Sequence, residues 1–214
     1  MSAPAADMPV SRTLWVRVFK RPCDFLASLA LLIVASPLML AVALLVRLKL
    51  GSPVLFKQAR LGRHGRVFNM FKFRSMSDAR SASGELLPDE VRLNAFGRFL
   101  RSTSLDELPQ FLNILRGDMS FIGPRATLPV YEPIMRERFP TRLELLPGMT
   151  SLPAIRGRNA LSIHEKYEMD VEYVQKCSLA FDLYIALMTI PVVLGRTNIE
   201  VDDNSNDKNR SQPE

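Results

Sequence analysis

The octapeptide TSLDELPQ, residues 103–110, sets Asp106 directly beside Glu107 in a chain of 214 residues that carries a formal charge of +6. Adjacent carboxylates repel, so the pair needs a structural or a chemical reason. The structural one is a helix start. Ser104-Leu-Asp-Glu107 fits the S-x-x-E capping box, and acids are favoured at the positive end of a helix. Pro109 complicates this, because at a fifth helical position it removes an intrahelical hydrogen bond. The helix can instead begin at Pro109 and leave both acids just ahead of its N-terminus. The chemical reason lies in the cations nearby. Arg101 stands five residues before Asp106, Arg116 and Asp118 follow, and Gly123-Pro124-Arg125 brings a guanidinium on a rigid turn. An ionised carboxylate in such company can bind Mg²⁺ and a diphosphate, or attack phosphorus to give an acyl phosphate. Attack by an anion on an anionic phosphate needs neutralised charge, which a metal ion and guanidinium groups supply.

The rest of the chain has to position that pair. Its length suits one domain with a real core. The basic balance implies an anionic partner: nucleic acid, lipid headgroups or a phosphorylated substrate. Only Cys23 and Cys177 are present, with no CxxC spacing, and His64 and His164 lie far apart, so a disulfide framework or a zinc site has no support.

Residues 25–46, FLASLALLIVASPLMLAVALLV, are uncharged throughout and long enough for a transmembrane helix. The run is too long for a signal peptide, and no A-x-A site follows it. Ser36-Pro37 falls at its centre, where Pro37 cannot bond the carbonyl of Ile33 and its ring crowds that turn. At about 1.5 Å per residue the arms on either side measure about 18 and 14 Å, each reaching only the middle of a hydrocarbon core of about 30 Å. Both flanks are basic, which holds both ends on the cytoplasmic side. A re-entrant helix-break-helix satisfies these observations, and a proline-kinked span is the alternative. Asp24, at the edge of the run, could cap the first arm or pair with Lys20 or Arg21, and Cys23 reads as a buried interfacial residue.

After the membrane segment, residues 51–76 alternate apolar and polar around Gly62 and Gly65, the pattern of a hairpin. No acid occurs between Arg47 and Met76, a stretch rich in Lys and Arg. So placed, it fits anionic headgroups, at about 1 kcal/mol per nearby cation, and it matches no nucleic-acid-binding motif. Residues 77–90 read as a mobile loop and 129–144 as a helix interrupted at Pro140. Residues 163–177 form a polar amphipathic helix, and 178–195 an apolar helix lying in the interface with Asp182 near its start. The tail from Thr197 has the composition of a disordered segment.

Several pieces, in order over roughly residues 17–195, resemble the small monotopic phosphoglycosyl transferases among the bacterial sugar transferases. They are KRPCDFL, Ser36-Pro37, GSPVLFKQARLGRHGRVFNMFKFRSM, GRFLRSTSLDELPQFLNILRGDMSFIGPR, LLPGMT, GRN at 157–159 and MDVEYV. The resemblance implies transfer of a sugar 1-phosphate from a UDP-sugar to polyprenol (undecaprenyl) phosphate at the cytoplasmic face of the bacterial inner membrane. UMP leaves, Mg²⁺ assists, and the reaction begins a surface glycan such as an exopolysaccharide. Asp106 would be the nucleophile that carries the phospho-sugar, and Glu107 would help it hold the metal. Arg101 and Arg125 would contact phosphate, followed by Lys72 and Arg74, and by Arg158 of GRN. Ser36-Pro37 maps onto the family's re-entrant bend.

The expected architecture is α+β and mainly helical: a flexible stretch 1–16, a re-entrant helix 17–50, a cytoplasmic and interfacial catalytic domain 51–196 with a small β-hairpin and amphipathic helices, and a tail 197–214. Expected partners are the UDP-sugar, polyprenol phosphate and anionic lipids, without nucleic acid and with homo-oligomerisation left open. One departure concerns PGMTSLPAIRGRN, where Ser151 replaces a family glycine and Pro153-Ala154 replaces Ala-Gln. Loss of a glycine can forbid a positive φ. That departure supports the competing reading, a non-catalytic membrane scaffold for glycan assembly that keeps the fold.

Overall fold

The computed structural model describes residues 13–157 and 160–194. Residues 1–12 of the expected flexible N-terminus and the tail expected from Thr197 lie outside them. A helical turn at Trp15–Phe19 runs into α1, Lys20–Leu50. The two arms expected around Ser36-Pro37 form one helix, because hydrogen bonding continues through the proline. The Ser36 hydroxyl donates to the carbonyl of Ile33 at 2.8 Å, the acceptor that Pro37 leaves without an amide. A break is therefore replaced by a proline inside a continuous helix.

The ends and the middle of α1 behave differently. Lys20, Asp24 and Ser28 near one end and Val42 and Val46 near the other are buried. Between them Ile33 and Val34 are 66% and 77% exposed. The first end docks through the Ser28 hydroxyl, which donates to the Phe111 carbonyl at 2.7 Å. The second packs on Phe73 and Leu100. Asp24 accepts the amide of Phe121 at 3.3 Å, while Cys23 is exposed rather than buried.

The expected hairpin is present as antiparallel strands β1, Leu55–Leu61, and β2, Val67–Phe73, in register from Leu55 opposite Phe73 to Leu61 opposite Val67. Beyond it the segment read as a mobile loop is tied to itself. Ser81 N–H donates to the Glu85 carbonyl and Leu87 N–H to that of Ala79. Short helices follow: α2, Asp89–Arg92; α3, Ala95–Ser102; and α4, Gln110–Arg116. α4 stops at Gly117, whose φ of 92° is left-handed and suits glycine.

A second, parallel pair joins β3, Ser120–Ile122, to β4, Gly148–Thr150. Between them lie α5, Glu132–Arg138, and a tight turn at Pro140–Leu143, as the proline predicts. The chain closes with α6, Leu152–Arg156; α7, Ile163–Lys176; and α8, Leu179–Leu194. α7 buries Tyr167, Asp170, Val171 and Val174, the three-and-four spacing of a single helical face. A true capping box starts it, with Glu165 N–H on the Ser162 hydroxyl and the Glu165 carboxylate on Ser162 N–H.

α8 presents Leu183, Leu187 and Ile190 outward. Its acid turns inward instead of lying in an interface. Asp182 is buried, accepting from Lys20 at 2.6 Å, the Trp15 indole at 2.7 Å and the Tyr173 hydroxyl at 2.7 Å. This cluster fastens the entry of α1 to α7 and α8.

Candidate active site

Asp106 and Glu107 occupy a single 3₁₀ turn, Leu105–Glu107, between α3 and α4. Ser104 is not the cap that the S-x-x-E pattern suggests. Its φ of 54° is left-handed and its side chain caps nothing. With Pro109 as the cap of α4, the acids sit just ahead of a helix N-terminus, the second of the two arrangements read from the sequence. A non-glycine residue at positive φ beside a candidate nucleophile is the kind of strain that functional sites hold.

Asp106 is only 6% exposed. Burial pushes its carboxyl up to about 6, the charge of Glu107 adds to the rise, and Lys72 and Arg101 oppose it. Lys72 projects from β2 and its ammonium lies 2.8 Å from a Glu107 carboxylate oxygen. Arg101, in the last turn of α3, is oriented by a bond from Nε to the Ser75 hydroxyl at 3.0 Å. α3 reaches Ser75 closely enough only through Gly97, where a Cβ would stand 1.9 Å from the Ser75 carbonyl oxygen. The structure thus brings together four expected residues: Lys72, Arg101, Asp106 and Glu107.

It sends Arg74 elsewhere. Arg74 follows the end of β2 and so leaves the alternation that Lys72 obeys. Its buried guanidinium donates to the carbonyls of Met76 and Ser52 and pairs with Asp78, so it ties the end of β2 to the stretch between α1 and β1 instead of facing the acids. Arg125 has an exposed side chain, and its backbone is clamped. Its amide donates to Asp170 at 3.1 Å, and its carbonyl accepts from Arg142 at 2.5 Å. The Arg142 Nε also bonds Asp170 at 2.7 Å, fully buried. Arg158 lies outside the described residues. Sequence reasoning missed Ser75 and the Arg142–Asp170 pair, since a buried ion pair and a solvated one look alike in a single sequence.

Among the described residues no three His, Cys, Asp or Glu side chains cluster as metal ligands. The dyad nonetheless offers two hard carboxylates, the number of protein ligands that Mg²⁺ commonly takes when substrate phosphates and water complete its shell. A carboxyl raised by burial and by an adjacent acid is also what a divalent cation would relieve. The donor set fits.

The departure at Ser151 proves harmless to the backbone. Ser151 is extended, with φ −149° and ψ 163°, which any residue adopts. Pro153 lies in the first turn of α6, where its missing amide costs nothing.

The chain belongs to the bacterial sugar transferase family, whose profile matches residues 15–196. It is 47% identical over 183 residues to EpsL of Bacillus subtilis (strain 168), an uncharacterized sugar transferase, covering 86% of this chain and 91% of that one. It is also 36% identical over 190 residues to the UDP-glucose:undecaprenyl-phosphate glucose-1-phosphate transferase of Caulobacter vibrioides, covering 84% of this chain and 71% of the relative. The same identity over 197 residues relates it to the undecaprenyl-phosphate galactose phosphotransferase of Salmonella typhimurium, of which it spans 41%.

Proposed function

We propose that the chain moves a sugar 1-phosphate from a UDP-sugar to polyprenyl phosphate through a covalent phospho-sugar on Asp106. The observation that carries this reading is the buried Asp106 carboxyl, flanked by the Lys72–Glu107 pair and Arg101. An Asp106 oxygen attacks the β-phosphorus, the bond from that phosphorus to the UMP oxygen breaks, and UMP departs with the electron pair. An oxygen of polyprenyl phosphate then attacks the same phosphorus, freeing the carboxylate and leaving a polyprenyl diphosphate sugar. Lys72 and Arg101 offset the negative charge that gathers as two anions meet. Mg²⁺ held by Asp106 and Glu107 would supply further neutralisation of the diphosphate. The names of the relatives from Caulobacter and Salmonella support the donor and acceptor classes. The extended backbone at Ser151 answers the glycine part of the departure that favoured a non-catalytic scaffold, while the replacement of Ala-Gln by Pro153-Ala154 stands.

The nucleophile must be ionised, and its pKa of about 6 lies above the ordinary carboxylate value. Protonation removes the attacking form, so activity is lost as pH falls through the carboxyl's pKa, which bound Mg²⁺ would draw down from about 6. Assayed as UMP release from a panel of UDP-sugars with polyprenyl phosphate and Mg²⁺, kcat/KM is expected to fall about tenfold per unit well below pH 6. Release from no sugar, where a working relative releases UMP, would overturn the reading.

We infer a monotopic placement on the cytoplasmic face of the bacterial inner membrane. Ser28 and Val42 are docked on the same domain, and the 14-residue interval between them is about 21 Å at 1.5 Å per residue, short of a hydrocarbon core of about 30 Å. The exposed apolar middle of α1 then dips into one leaflet as a continuous helix with Pro37 inside it. In a Cys23→Ser background, cysteines placed at Arg17 and Ser81 should react with an impermeant maleimide from one side of sealed vesicles. Reaction from opposite sides would mean a true span.

A further inference from the structure

We propose that a cleft on the far side of α4 from the acid pair binds the phosphate ester of a membrane lipid, an inference that rests on the membrane placement above. The cleft has a volume of about 590 Å³, within the range of ligand sites. Its walls are the first turns of α1, the β1–β2 turn, the turn from α4 into β3, and Leu145 and Leu146. The acid pair precedes the N-terminus of α4, whereas Gly117 and Asp118 of the cleft follow its C-terminus. The helix itself separates the two.

Charge and rigidity point to the ligand. Arg21, Arg63 and Arg66 line the cleft, against Asp24 and Asp118; Lys20, also on the wall, is neutralised by Asp182 from outside. Arg63 and Arg66 make no ion pair among the described residues. Their backbone is nevertheless fixed: Gly62 N–H donates to the Arg66 carbonyl at 2.7 Å, and Leu61 N–H ties the strand end to Thr127 at 2.8 Å. Two guanidinium groups on a braced turn form a ready receptor for phosphate oxygens. Arg21 is held by the carbonyls of Ile114 and Leu115, so a third cation is fixed on the opposite wall. Asp118 and Asp24 supply acceptors for hydroxyl groups next to the phosphate, as in a glycerol headgroup.

Position selects the source. The cleft opens beside Val16, on the helical turn whose neighbours Leu14, Val18 and Phe19 are exposed. In the monotopic arrangement those side chains enter the leaflet, which puts the cleft at headgroup depth. The shared chemistry is a phosphate ester; a lipid headgroup reaches it from the bilayer, and a soluble sugar or nucleoside phosphate reaches it from solution.

The test counts lipids retained on the full-length protein after release from bilayers of phosphatidylcholine doped with phosphatidylglycerol, by native mass spectrometry. The Arg63→Gln/Arg66→Gln variant is expected to lose phosphatidylglycerol about tenfold or more while keeping phosphatidylcholine and its melting temperature. Arg47→Gln/Lys49→Gln, which removes the same charge from the other end of α1, should retain it. Equal losses in both variants would mean diffuse attraction and overturn the proposal, as would equal retention in the first variant and wild type. Retention of glycerol 1-phosphate by lipid-free protein together with no preference for phosphatidylglycerol over phosphatidylcholine would reject the lipid as the source. One-sided maleimide labelling at positions 17 and 81 on the same preparations tells failure of the membrane placement from failure of this site, and Asp106→Asn, which removes only the transfer nucleophile, should retain the lipid normally.

Discussion

Asp106→Asn should abolish sugar-phosphate transfer, lowering UMP release by about 10,000-fold or more, the scale seen when a covalent nucleophile is removed. Asparagine keeps the shape and the hydrogen-bonding reach of the side chain and lacks only the anion. The same substitution should leave the melting temperature unchanged or raise it. Asp106 is buried, repelled by Glu107, and held with its carboxyl up at about 6, so its charge is unfavourable to the folded state. Opposite movements of activity and stability are the signature of a residue kept for chemistry. A variant with near-normal turnover would reduce Asp106 to a structural element of the turn before α4.

The largest stability effect is expected at the base of the anchor helix. Asp182→Ala should destabilise the protein by about 3–5 kcal/mol, because it leaves the buried Lys20 ammonium without its counter-charge. The Trp15 indole and the Tyr173 hydroxyl lose an acceptor in the same step. For a chain of this size the loss corresponds to about 10 °C in melting temperature, measured in detergent. Lys20→Met combined with Asp182→Leu removes both charges and should recover much of it. If Asp182→Ala costs under about 1 kcal/mol, the cluster is not what fastens α1 to α7 and α8.

How far the sequence reveals this arrangement depends on what decides each residue's position. Local rules are legible. Glycines at 62 and 65 mark the hairpin turn, Pro133, Pro140 and Pro153 fall at helix starts, and Pro109 puts the acid pair ahead of α4 instead of inside it. Two S-x-x-E patterns show where local rules fail. Ser162 with Glu165 makes a capping box, whereas Ser104 with Glu107 does not, because Pro109 stops a helix from running on from Ser104 and Glu107 turns to Lys72 on β2. That partner lies 35 positions away and only the tertiary fold supplies it.

The cations divide for a similar reason. Lys72 and Arg74 are two apart and would share a strand face, yet β2 ends at Phe73 and Arg74 turns into its own loop. Asp170, on a polar helix, and Asp182, read as the acid of an interfacial helix, are both buried in ion pairs across the chain that no local pattern announces. Pro37 signals a disturbance of α1 correctly but not its form. A neighbouring serine hydroxyl satisfies the vacated carbonyl, and the helix continues.

The proposed two-step transfer requires Asp106 to carry the phospho-sugar. Its most direct test mixes purified protein with UDP-sugar and Mg²⁺, withholds polyprenyl phosphate, quenches in acid, and reads the intact mass and then the peptide masses. One equivalent of UMP should be released, with a sugar-phosphate adduct on the peptide that contains Asp106 that is lost on adding the acceptor. UMP formed only when polyprenyl phosphate is present, with no adduct at any residue, would contradict that role.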